Sequence, residues 1–345
     1  MKANLIKTGH VIDGKEIFAV ELINKQGTYV KIYNYGAIIS HFITVNAKGE
    51  KQDIVLGFDD FSGYISEDYL ADYPYIGAVI GRYANRVKDG RFSIDGKSYQ
   101  LPQTNGNDCL HGGKIGFDKK VWDILPTTDP SLTLQYISAD GEEGFPGNLT
   151  VQLTFKLTEE NELVLDYRAE TDQPTAINLT HHGYFNLSPE GGSIENHTHR
   201  MPASHYLQQD DNYVVTGVLV PVEGSKYDFL GPKLIGADWD AREGYDQTFV
   251  LDGNYGELSL ASETTEEKSG LKLSVFTTEP VAHFYTAKYL NVQKGKGGRN
   301  YGPYGAFCVE TQHHPNAINI PGFPTTVLLP GETYKQTTIY KIEHK

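Results

Sequence analysis

The chain has 345 residues, with 30 Lys and Arg against 44 Asp and Glu, giving a formal charge of −14. This acidity argues against a nucleic-acid partner, whose phosphates would be neutralised by Lys and Arg. Two cysteines, Cys109 and Cys308, are too few for a disulfide framework and lack metal-finger spacing.

The N-terminal stretch has no apolar signal-peptide region, and no run approaches ~18 consecutive apolar residues. The expectation is a cytoplasmic protein with no membrane contact, so the sequons at Asn148, Asn178 and Asn196 read as chance matches. Further along, Tyr29–Tyr33 reads as a strand, while 59–64 is compatible with a short helix. Leu149, Val151, Leu153, Phe155 and Leu157 repeat with period two, placing all five on one face of a strand. Glu159, Glu160 and Asn161 form a turn before a partner strand at 163–167. A second hairpin pairs 258–262 with 271–276, and 337–342 closes the series. Asp-Gly pairs at 13, 89, 95, 140 and 252 and Pro330-Gly331 supply the turns. The glycine-rich, basic segment 294–299 has no strand-then-helix context and reads as a mobile surface loop.

Short strands without interleaved helices predict an all-β sandwich or barrel. A prior of ~150 residues per domain would give two domains. With no repeat, linker or low-complexity tract, one domain over residues 1–345 is expected instead.

Several polar segments carry possible chemistry. His181 and His182 cannot share a strand face, so one can enter a site while the other is held in the core. Glu310 lies in the strand-like run 307–312, on the same side as Cys308 and Gln312. In a dry setting its pKa would rise toward a useful range for a base; at a sheet edge it would face solvent. Asn85 and Arg86 precede an Asp-Gly turn, His111 precedes two glycines, and Asp246 follows Gly244; solvated turns would explain each equally. His197 and His199 form half of a possible metal motif with no Glu following, and no G-x-S-x-G elbow is present. Neither a metal nor another cofactor is expected.

Taken together, the segments resemble the aldose 1-epimerase, or galactose mutarotase, family over nearly the full length. The resemblance runs through residues 81–86, 110–113, 140–147, 178–187, Tyr245-Asp246, 278–286 and 310–312, in the family's order. It implies a large antiparallel β-sandwich (a galactose mutarotase-like supersandwich) with a carbohydrate cleft. It also implies His182 as general acid and Glu310 as general base, with Asn85, Arg86, His111, Tyr184 and Asp246 holding sugar hydroxyls. The partner would be a small aldose, such as glucose, galactose, a pentose or a reducing disaccharide like maltose, and the protein a monomer or homodimer.

Anomer interconversion needs one base for the C1 hydroxyl and one acid for the ring oxygen, and no cofactor. Tyr184, Trp122 and Phe284 are candidates to cover the sugar's apolar face, with ordinary core as the alternative for each. The chain departs from the family pattern at His181, where Asn is common, at Gln247, where His is common, and at His283, where a sugar-touching Gln is frequent. Of these, His283 is retained as a substrate-binding candidate. Rival readings are a glycoside hydrolase pairing Glu310 with Asp246 or Glu143, a non-catalytic sugar-binding module, and an epimerase for a sugar phosphate held by Arg82 or Lys294.

Overall fold

The computed structural model describes residues 2–126, 131–239 and 243–344. Among them strands dominate, and the expected antiparallel sandwich is what forms. The hairpin of Leu149–Leu157 with Glu162–Thr171 sets the pattern, pairing Val151 with Ala169, Leu153 with Tyr167 and Phe155 with Leu165. All these apolar side chains are buried. Each large one contributes about 1.5–3 kcal/mol relative to exposure. Asn161 takes the left-handed conformation (φ 60°) that the tight return requires, which Asn tolerates better than most residues.

This hairpin supplies the third and fourth strands of a nine-stranded sheet that continues through Tyr334–His344, Leu271–Thr277 and Ser259–Glu266. A five-stranded sheet is ordered Val215–Pro221, His205–Gln209, Asp246–Val250, Val281–Tyr285 and Cys308–Gln312. Another five-stranded sheet is an N-terminal meander from Lys2–Ile12 to Lys51–Asp53. One apolar core joins all three, drawing Leu165, Tyr340, Phe249, Phe284, Val309, Val30 and Phe42 together. The region expected as a short helix holds a 3₁₀ turn, Phe61–Ile65, followed by a single α turn, Glu67–Ala71, capped by Ser66. The 294–299 segment departs from a mobile loop: Lys296 Nζ sits 2.6 Å from Asp53 Oδ2 and donates to Val55 O at 2.8 Å.

Alternation within the middle sheet positions the site. Ala282, Phe284 and Val309 face the core, leaving His283, Tyr285, Cys308 and Glu310 on the opposite face. The register aligns Thr248, His283 and Glu310 in one cross-strand row, and Asp246, Tyr285 and Cys308 in the next.

Candidate active site

A pocket of about 230 Å³ opens over this face. Its lining includes all eight residues singled out from the sequence: Asn85, Arg86, His111, His182, Tyr184, Asp246, His283 and Glu310. A volume below the ~300–1,000 Å³ of drug-sized pockets suits a ligand the size of one sugar ring.

Glu310 is only 2 % exposed. Burial is the main cause that pushes its carboxyl up to about 7. Its Oε1 lies 3.6 Å from His182 Nε2, and its Oε2 has no hydrogen-bond partner in the protein. A buried polar atom without a partner demands an explanation, and a ligand hydroxyl is one.

The His182 ring stacks on Tyr184 (5.0 Å, 15°) and lies nearly parallel to Tyr75 (6.0 Å, 19°), which fixes its plane. Burial, reinforced by His283 and His181, holds its pKa far below the usual imidazole range. His181 points away, as strand alternation required. Its two ring nitrogens bond the Tyr340 hydroxyl and the Gly77 carbonyl, each at 3.0 Å. The Gly77 amide in turn donates to His182 O at 2.9 Å, so His181 anchors the segment that presents His182.

Asn85 (φ 60°) and His111 (φ 53°) both occupy the left-handed region. The Asn85 amide donates to His111 Nδ1 at 3.2 Å, and the His111 amide to Asn85 O at 3.1 Å. With Nδ1 accepting, the neutral ring carries its proton on Nε2 and offers the pocket a donor. Gly112 permits this turn: a Cβ there would stand 2.1 Å from Gly81 O. Arg86 is oriented by Nε donating to Asn105 Oδ1 at 3.1 Å.

His283 Nε2 lies 3.0 Å from Asp246 Oδ1, and its Nδ1 2.8 Å from Thr248 Oγ1. Burial alone would raise the Asp246 carboxyl, but the His283 hydrogen bond and charge bring it below the usual carboxylate range. Of the three departures from the family pattern, only His283 reaches the pocket. Gln247 turns to the core and bonds Leu207 O.

His111, His182 and Glu310 place potential metal-ligand atoms within 4.8 Å of one another. The donor chemistry does not suit an ion. Ligation through His111 Nε2 would require a proton on Nδ1, which already faces the Asn85 amide. His197 and His199 are committed elsewhere, His197 Nε2 accepting from Leu187 N and His199 stacking on Phe284.

Of the two readings open for Trp122 and Phe284, core holds, Trp122 packing against Phe117. Glu143 accepts from Lys114 N and does not line the pocket. Arg82 is buried among backbone carbonyls, and Lys294 does not line the pocket, so neither could hold a sugar phosphate there. Sequence reasoning missed Tyr75, Asn105, Tyr285 and Tyr289, which line the pocket from loops and a strand end. The aromatic run Tyr73-Pro74-Tyr75 was the available signal.

A sequence profile described as aldose 1-epimerase matches residues 19–341. Galactose mutarotase from Rattus norvegicus is 40 % identical over 316 residues, 90 % of each chain. Aldose 1-epimerase from Escherichia coli strain K12 is 32 % identical over 337 residues, 95 % of this chain and 96 % of that one. Among solved structures, a GalM/aldose epimerase homologue from C. elegans gives a TM-score of 0.87 at 29 % identity and covers 99 % of both chains. Galactose 1-epimerase from Lactobacillus acidophilus gives 0.85 at 30 % identity, covering 100 % of this chain and 99 % of that one. The chain belongs to the aldose 1-epimerase family.

Proposed function

We propose that the protein interconverts the α and β anomers of aldoses by opening and reclosing the hemiacetal ring. The facing of Glu310 and His182, 3.6 Å apart in a pocket of one-ring size, carries this reading. Glu310 takes the proton of the C1 hydroxyl while His182 protonates the ring oxygen. The C1–O5 bond breaks, the C1–C2 bond rotates, and closure on the other carbonyl face returns both protons. Arg86, Asp246 and the His111 Nε2–H, which line the same pocket, bond the remaining hydroxyls. The 345 residues act as one unit, since sheets from both ends of the chain share its core. Freshly dissolved α-glucose or α-galactose should change optical rotation faster with the protein than in buffer. No acceleration with either sugar would refute the proposal.

The pH dependence follows from counting protons. Burial leaves the shared proton on Glu310 at rest; in the reactive arrangement with cyclic sugar it is on His182, and with open-chain sugar on Glu310. The pair therefore holds one proton in both forms and titrates as a unit. Deprotonation through the Glu310 value of about 7 removes it, so kcat/KM should fall above neutral pH, about tenfold per unit. The second proton would go to His182, whose affinity burial weakens, so activity should persist well below the ordinary imidazole range. A profile that instead rises through pH 7 to a plateau would show that the pair works without that proton.

A second reading has one observation in its favour. The pocket holds a carboxyl raised by burial, Glu310, beside a lowered one, Asp246, which is the division of labour in glycoside hydrolases. Release of a reducing end from an aryl glycoside would support that reading.

A further inference from the structure

Asn178 opens one of the three sequons, yet its side chain is fully buried, so no glycan can reach it. Its amide instead pairs with main chain. Nδ2 donates to His313 O at 3.1 Å, and Oδ1 accepts from His313 N at 2.9 Å. One donor and one acceptor on the same partner residue fix which amide atom is which. The side chain thereby does what a strand residue does with its own N–H and C=O.

We propose that Asn178 is the positioning residue that sets the separation of acid and base, by locking the segment carrying His182 onto the strand carrying Glu310. This rests on the anomer-interconversion reading above.

The two segments run antiparallel and are fastened at both ends. At one end Phe185 and Phe307 exchange main-chain hydrogen bonds of 2.8 and 2.9 Å. Asn178 and His313 close the other end. His182 and Glu310 stand between the fasteners, three or four residues from each. In that interval the main chain of the acid's segment is committed elsewhere: His182 N donates to Ala78 O and His182 O accepts from Gly77 N, both at 2.9 Å. With the Asn178 amide gone, the 3.6 Å between Glu310 Oε1 and His182 Nε2 would be fixed from the Phe185 end alone.

The far side of the lock is itself anchored. The His313 ring is bonded by the buried Glu279 carboxylate through Nδ1 and by the Tyr255 hydroxyl through Nε2 at 2.9 Å. Asn178 also has a separate main-chain duty. Its N donates to Arg82 O at 3.0 Å, and its O accepts from Ala84 N at 2.7 Å. Those bonds need no side chain, and they hold the segment that leads to Asn85 and Arg86. Removing the amide should therefore loosen the base relative to the acid and leave the sugar contacts in place.

The test measures kcat and KM for mutarotation of α-galactose by wild type, Asn178→Ala, Glu310→Gln and the double variant. A misplacement of ~1 Å can cost about 10²-fold, so Asn178→Ala should lower kcat about 10–100-fold and change KM less than about threefold. In the Glu310→Gln background no base remains to be aligned, and the same change should cost less than about twofold. Should alanine prevent folding, Asn178→Ser, which leaves a hydroxyl for one of the two His313 groups, carries the same cycle. An unchanged kcat would overturn the assignment. So would equal losses in both backgrounds, which a general loosening of the fold would give, or a rise in KM alone. Each of those results leaves the epimerase reading standing, because wild type turns over the sugar in all of them. A wild type inactive on galactose and on glucose would overturn that reading itself.

Discussion

Glu310→Gln is expected to lower kcat by about 10²–10⁴-fold while the protein folds normally. The amide has the shape of the protonated carboxyl, which burial already favours up to about pH 7, so packing is preserved while the proton acceptor is lost. KM should change little, because the interaction removed matters most in the transition state. His182→Asn should lower kcat comparably. Combining the two should cost scarcely more than either, since acid and base act as a unit. Additive losses would mean that the two groups serve separate steps. Either variant with wild-type turnover would remove that residue from the mechanism.

Arg82→Met should have the largest effect on stability, about 3–5 kcal/mol, out of a typical total of about 5–15 kcal/mol. The guanidinium is 2 % exposed and holds together three chain segments. One terminal nitrogen donates to Pro146 O, Gly147 O and Thr175 Oγ1 at 2.8–3.1 Å; the other donates to Ser138 O, Ser138 Oγ and Ala139 O. Met fills similar volume but leaves the buried acceptors on Ser138, Pro146, Gly147 and Thr175 unpaired, and each orphan costs about 1–3 kcal/mol. Arg82→Lys should recover only part of the loss, because an ammonium cannot reproduce the planar fork. The urea midpoint should fall with little change in m. A shift worth less than about 1 kcal/mol would show that the carbonyls find other partners.

Regular strands were legible because one face of each is buried, and burial writes a period of two into the sequence. Leu149–Leu157 was readable to its ends, whereas 258–262 covered only part of Ser259–Glu266, whose later residues Thr264, Thr265 and Glu266 give no apolar signal. The opposite orientations of His181 and His182 followed from strand geometry alone. Glu310 was visible as a carboxylate in an apolar strand, but its isolation from solvent depends on Tyr184 and the 72–75 loop, which are distant in sequence. Tyr75 and Tyr289 sit on irregular backbone that carries no period. Trp122 and Phe284 stood open between platform and core for the complementary reason: an aromatic ring looks the same in sequence whether it lines a cleft or fills a core.

The central claim is that catalysis breaks the bond from C1 to the ring oxygen and keeps the C1 oxygen. The most direct test dissolves α-galactose in ¹⁸O-enriched water and follows anomer ratio by NMR and label content by mass spectrometry over the first minutes. Ring opening predicts faster approach to the same α:β ratio, with no more label at C1 than buffer alone introduces. One solvent oxygen entering C1 per anomer converted would contradict it, placing the cleavage at the exocyclic bond as in a hydrolase.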